Sequence, residues 1–77
     1  MLTYVDPNVK NRLRYLRRAQ GLPMYGLAVK ASVSPTIVSI VERFDYRPGA
    51  KVRVRLAQAL GVSEADIWPE QPPETIA

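Results

Sequence analysis

The chain has no cysteine and no histidine in 77 residues. Without cysteine there is no disulfide and no thiolate metal site. Without histidine, imidazole acid–base catalysis is excluded, and a zinc site would have carboxylates alone to draw on. No metal and no cofactor are expected. No apolar run approaches the ~20 residues of a membrane span. The first ten residues, MLTYVDPNVK, lack the charged and apolar blocks of a signal peptide. The expectation is a soluble, cytoplasmic protein with neither a membrane nor a small-molecule ligand among its partners. Acidic residues are scarce over most of the length. Residues 1–63 hold all eleven Lys and Arg against Asp6, Glu42 and Asp45, a net +8, whereas residues 64–77 hold Glu64, Asp66, Glu70 and Glu74 and no base. A basic body with an acidic tail suits a polyanionic partner. The same charge also serves as an ordinary solvated surface.

What is present is helical punctuation. A chain this short makes one small domain with a marginal core, so most apolar residues at helical spacing are needed inside. The organising stretch is Leu22 to Arg43, LPMYGLAVKASVSPTIVSIVER. Its second half opens with Ser34 as a natural N-cap and Pro35 at the first helical position, where a missing N–H costs nothing. The helix then runs through Thr36, Ile37, Val38, Ser39, Ile40 and Val41 to Glu42 and Arg43. The shorter helix before it, about Pro23 to Ala31, buries Leu27, Ala28 and Ala31, and Gly26 lowers its propensity. Val33 sits in the turn and plugs the core between the two. A short helix, a turn and a second capped helix make a helix-turn-helix unit, whose second helix can lie in a DNA major groove.

The flanks read the same way. Asp6-Pro7 repeats the cap-then-proline signal, and Val9, Leu13 and Leu16 follow at i, i+4 and i+7. Gly21 ends that first helix as a left-handed residue, with Leu22 folding back on it. Phe44 to Pro48, FDYRP, is read as a loop. Lys51 to Leu60, KVRVRLAQAL, begins with strand-like alternation, but no second alternating run exists to pair with it. It is read as a helix beginning near Gly49, with Ala50, Val54, Ala57 and Leu60 on its inner face and Gly61 as C-cap. Ser63 to Asp66 resembles a capping box with aspartate in the usual glutamate position. It opens one turn containing Ile67 and Trp68, stopped by Pro69. Residues 70–77, EQPPETIA, read as a flexible, acidic, proline-containing tail, which sets the domain at residues 1–69.

From Val9 to Pro69 the chain resembles the Cro and lambda-repressor type of helix-turn-helix proteins, the XRE family. The resemblance rests on an ordered set: Arg17, Gly21-Leu22, Leu27-Ala28, Ser32-Val33-Ser34, Glu42-Arg43, Pro48, then Leu56-Ala57 and Ala59-Leu60-Gly61-Val62, closing on Asp66-Ile67-Trp68-Pro69. It implies an all-α fold of five short helices around one core, with the third helix docked in the major groove of double-stranded DNA. It further implies a bacterial or phage-encoded transcriptional regulator, a repressor in the expected direction, acting as a homodimer on a two-fold site. Dimers of the family often form through the last helices. Ile67 is expected to close the core, and Trp68 either joins it or lies at such an interface. The family also pairs an arginine at the position of Arg17 with a glutamate at the position of Glu42, tying the first helix to the third.

Carried over position by position, the base-reading set is Ser34, Pro35, Thr36, Ile37, Ser39 and Ile40. The phosphate or minor-groove set is Met24, Lys30, Arg43, Tyr46 and Arg47. Departures from the family stand at these positions. Ile37 and Ile40 occupy places where relatives often carry polar readers. Met24 stands where a glutamine often touches phosphate. Phe44 replaces a glycine that usually ends the third helix. Val38 and Val41 are expected to face the core, leaving Ile37, Ile40 and Phe44 as a second apolar stripe. That stripe supports a second reading, a protein-interaction module on the same fold. An enzyme is not expected, because the C-terminal carboxylates lie in a capped turn and a tail where nothing positions them as an acid–base pair.

The tail reading is tested by deletion. Removing Glu70 to Ala77 is expected to leave the melting temperature unchanged, since the segment has no apolar periodicity to bury. It should modestly strengthen binding to bulk duplex DNA by removing Glu70 and Glu74 from the field. A large fall in melting temperature would move the domain boundary.

Overall fold

A computed structural model describes residues 10–69. Five helices follow in order: α1 (Leu13–Ala19), α2 (Met24–Ala31), α3 (Pro35–Phe44), α4 (Ala50–Leu60) and α5 (Glu64–Ile67). α2 packs against both α3 and α4, α1 against α3, and α4 against α5. One core joins them: Leu13, then Leu27, Ala28 and Ala31, Val38 and Val41, Leu56, Ala57, Ala59 and Leu60, and finally Ile67 and Trp68. Each fully buried large aliphatic here contributes about 1.5–3 kcal/mol. Trp68 lies in this interior with Ile67. No helix among the described residues is long and apolar enough to cross a membrane.

The caps at helix starts are local. Ser34 Oγ accepts from Thr36 N–H at 3.1 Å, with Pro35 at the first position. Ser63 and Asp66 form a full capping box: Ser63 Oγ accepts from Asp66 N–H, and Asp66 Oδ2 accepts from Ser63 N–H at 3.0 Å. The Ser63 backbone N–H and hydroxyl hold the Asp66 carboxyl below its ordinary pKa. A depressed carboxylate contributes fully above its unfolded pKa, so this cap is lost only as pH falls through the lowered value.

Three helices end alike. At Gly21, Ser32 and Gly61 the backbone is left-handed, with φ of 69°, 58° and 70°. In each case two N–H groups turn back onto the last carbonyls: Gly21 to Arg18 and Leu22 to Arg17, Ser32 to Val29 and Val33 to Ala28, Gly61 to Gln58 and Val62 to Ala57. The apolar residue after each turn, Leu22, Val33 or Val62, is half-buried against the core. This is the Schellman ending with its hydrophobic contact.

The structure corrects the sequence reading in four places. α1 begins at Leu13, later than the Asp6-Pro7 signal implied. Asn11 Oδ1 takes the Leu13 N–H at 3.0 Å, and Arg12 N–H donates to the Ile67 carbonyl at 2.8 Å, so residues 11 and 12 bind outward instead of continuing a helix. Asp6, Pro7, Val9 and the tail from Glu70 lie outside the described residues. Phe44 belongs to α3, and Asp45 supplies the left-handed residue after it. In α4 the inner face is Arg53, Leu56, Ala57 and Leu60, while Ala50 and Val54 are exposed. Arg53 turns inward because it has partners there: its Nε donates to Glu64 Oε1 at 2.9 Å and its Nη1 to the Pro48 carbonyl at 2.7 Å. Finally, Ile37 packs partly against the core, which breaks the expected stripe of Ile37, Ile40 and Phe44.

A buried ion pair orients α3. Arg17, only 7% exposed, donates from Nε to Glu42 Oε2 at 2.6 Å and from Nη2 to Oε1 at 3.0 Å. Its Nη1 donates to the Leu22 carbonyl at 2.6 Å. Arg14 Nε reaches Glu42 Oε1 at 3.3 Å from a half-exposed position. A buried charge left without its partner costs about 3–5 kcal/mol, whereas an exposed pair is worth about 0–1 kcal/mol. Three outcomes follow for denaturant unfolding. Glu42→Ala is expected to lose about 3–5 kcal/mol and Arg14→Ala less than about 1 kcal/mol; a Glu42→Ala curve superimposed on wild type would refute the role of the pair. Ser32→Gly should gain about 0.5–1 kcal/mol, because relief of the left-handed strain exceeds the added backbone entropy of glycine. An unchanged or lowered midpoint would contradict that balance.

Candidate nucleic-acid interface

α3 presents two opposite faces. Val38, Val41 and Glu42 point inward and are buried. At 3.6 residues per turn the opposite face carries Thr36, Ser39, Ile40 and Arg43, at i, i+3, i+4 and i+7. Thr36 and Arg43 are exposed, and Ser39 and Ile40 are half-buried. Ser34 and Pro35 are exposed at the helix start. Ile37 lies on the flank and leans into the core. Phe44, on that same flank about two turns further on, is 73% exposed.

The positively charged candidates are distributed around this helix. Arg43 ends α3 and is exposed, and Lys30 is exposed in the last turn of α2. Beyond α3, Tyr46 is 48% exposed and Arg47 is half-buried, with its Nε enclosed and without an acceptor. The buried Pro48 closes this loop, its carbonyl held by Arg53. Met24 opens α2 and is exposed. Gly26, one turn in, leaves room for the Pro23 ring, whose Cδ would stand 3.1 Å from an added Cβ.

Two residues important to the geometry were missed by sequence reasoning. Arg53 sits in a basic, alternating run that looks like a solvated surface, and only its burial shows otherwise. Asn11 carries no motif of its own. A polar amide just before an apolar periodic stretch was the available signal, since Asn is a common cap residue. Among the described residues no group of His, Cys, Asp and Glu could hold a metal ion. The surface is therefore suited to contact and charge recognition: hydroxyls, one exposed guanidinium and an apolar side chain on one convex helix face, flanked by basic residues.

No protein-family model matches the chain. It is 33% identical over 60 residues to an uncharacterised HTH-type transcriptional regulator of Methanocaldococcus jannaschii, a match that covers 78% of this chain and 91% of that one. Its fold matches the crystal structure of the restriction-modification controller protein C.AhdI from Aeromonas hydrophila with a TM-score of 0.66 and 33% identity, over 71% of this chain and 83% of the other. The five-helix order, the buried Arg17–Glu42 tie and these two likenesses lead to one conclusion: the chain belongs to the helix-turn-helix transcriptional regulators of the XRE type.

Proposed function

We propose that this regulator represses transcription by placing α3 in the major groove of a specific double-stranded site, as a homodimer in the cytoplasm. The observation that carries the reading is the division of α3 into a buried face, Val38, Val41 and Glu42, and an outward face, Thr36, Ser39, Ile40 and Arg43. Thr36 and Ser39 offer hydroxyls to base edges, and Ile40 offers a methyl-bearing surface to thymine. Ser34, Pro35 and the flanking Ile37 border that face. Arg43, Arg47, Tyr46, Lys30 and the backbone at Met24 serve the sugar–phosphate backbone. The role is recognition without catalysis, in line with relatives named as regulators. Two protomers on a two-fold site would read half-sites about one helical turn, ~34–36 Å, apart.

A protein-docking role for the same surface draws on the exposure of Phe44, 73%, next to Ile40. It is the weaker reading, because Ile37 is engaged by the core and the apolar patch is correspondingly small.

Selection of bound sequences from a random duplex pool, followed by titration at several salt concentrations, tests the assignment. Wild type should select a two-fold sequence, and its affinity should fall with salt at a log–log slope of roughly −0.9 per phosphate contact. Arg43→Ala should weaken binding to all sequences alike and flatten that slope by about one contact. Ile40→Ala should leave the slope unchanged and relax preference at one or two base pairs by about 1–2 kcal/mol, from lost burial at ~0.8 kcal/mol per CH₂. Lost fold stability with unchanged base preference would remove Ile40 from the reading face. A flat salt response with no selected sequence would favour the docking role.

A further inference from the structure

α3 ends unlike the other long helices. Where α1, α2 and α4 close on their own backbone, no such bond closes α3 among the described residues. Its left-handed residue is Asp45, φ 56°. The Val41 carbonyl, free at the helix end, accepts from Asn11 Nδ2 at 2.9 Å. Asp45 Oδ1 accepts twice, from Asn11 Nδ2 at 2.8 Å and from the Asn11 backbone N–H at 3.1 Å. Asn11 is itself held, because its Oδ1 accepts from Leu13 N–H at the start of α1. Both N–H groups of the amide and its oxygen are thus engaged. The next residue, Arg12, is pinned to the Ile67 carbonyl at the end of α5.

Aspartate is an unfavourable residue for this place on three grounds. A left-handed φ strains a residue with a Cβ, less for aspartate and asparagine than for most but more than for glycine. A carboxylate at a helix C-terminus opposes the macrodipole. A negative charge two residues from both Arg43 and Arg47 works against a polyanionic partner. Glycine would avoid all three. Glycine cannot, however, accept the two N–H groups of Asn11, and that is the one thing Asp45 does here.

We propose that Asn11 and Asp45 form a clamp that positions the reading helix. The clamp holds the last turn of α3 and the start of the loop after it, and so keeps Arg43, Tyr46 and Arg47 in register with Thr36, Ser39 and Ile40. Asn11 and Asp45 are positioning residues that act through α3 and touch no base. This rests on α3 being the groove helix.

Three variants of the whole chain test it: Asp45→Gly, Asp45→Asn and Asn11→Ala. Asparagine tolerates the left-handed conformation and keeps the Oδ1 acceptor while removing the charge. Glycine relieves the strain and the charge but abolishes the clamp. Two readouts are needed, amide hydrogen exchange of Val41 to Phe44 in the free protein and the affinity ratio between a selected site and bulk duplex. Asp45→Gly is expected to keep a melting temperature near wild type and to bind bulk duplex at least as tightly. It should lose discrimination on the order of tenfold, equivalent to about 1.4 kcal/mol, and its α3 amides should exchange on the order of tenfold faster. Asn11→Ala should behave alike. Asp45→Asn should keep both wild-type exchange and wild-type discrimination. Unchanged discrimination in Asp45→Gly and Asn11→Ala overturns the positioning role. An equal loss in Asp45→Asn also overturns it, since charge and not the clamp would then be responsible. If wild type itself selects no sequence, the groove reading fails and the positioning role falls with it. Exchange then still separates the two failures, because slow α3 amides in Asp45→Gly would show that the clamp does not hold the turn at all.

Discussion

The orientation of α3 depends on the fork of Arg17 over Glu42. Apolar contact at Val38 and Val41 holds the helix against the core, but the hydrophobic effect is non-directional and tolerates rotation about the helix axis. A guanidinium engaged at two oxygens of one carboxylate does not. The third bond, from Arg17 to the Leu22 carbonyl, extends the constraint to the turn between α1 and α2. One side chain therefore relates the first helix, the start of the helix-turn-helix unit and the far end of α3. It thereby helps fix the direction of the outward face of Thr36, Ser39, Ile40 and Arg43.

Arg53 does the same work on the other side of the domain. Its bonds to Glu64 and to the Pro48 carbonyl join α4, α5 and the end of the loop after α3. Two of the eleven basic residues are thus interior, which changes the meaning of the composition. A small apolar core offers few ways to specify helix angles. Buried, well-paired arginines supply directional contacts, and their long stems add apolar contact as well.

The helix ends show a division of labour. α1, α2 and α4 terminate through their own backbone, and the apolar residue after each turn re-enters the core. Those endings are self-contained. The end of α3 is completed by Asn11, thirty residues earlier in the chain, and so is coupled to the segment that also holds α5. That coupling ties the last turn of α3 to the segment leading into α1.

The sequence by itself determined the features whose causes lie within about one helical turn. The Ser34-Pro35 start, the Ser63–Asp66 box and the glycine endings at Gly21 and Gly61 are local hydrogen bonds and local φ preferences, and so were legible. The inward face of α3 at Val38 and Val41 followed from helical spacing for the same reason, and the ordered family landmarks made the five-helix plan readable. Tertiary structure alone decided the rest. The run VRV at residues 52–54 is compatible with two helix faces about 100° apart, and the choice of Arg53 over Val54 depends on Glu64 and Pro48 being across from it. Ile37 and Ile40 are chemically identical, and only the position of the core separates one from the other. Ser32 and Asp45 adopt left-handed backbone that their local sequence does not favour, because Val33 must reach the core and Asn11 must find an acceptor. A local preference of about 1 kcal/mol is visible in the residues that carry it. A contact thirty residues away outweighs such a preference, and which contact forms is known only once the helices are packed.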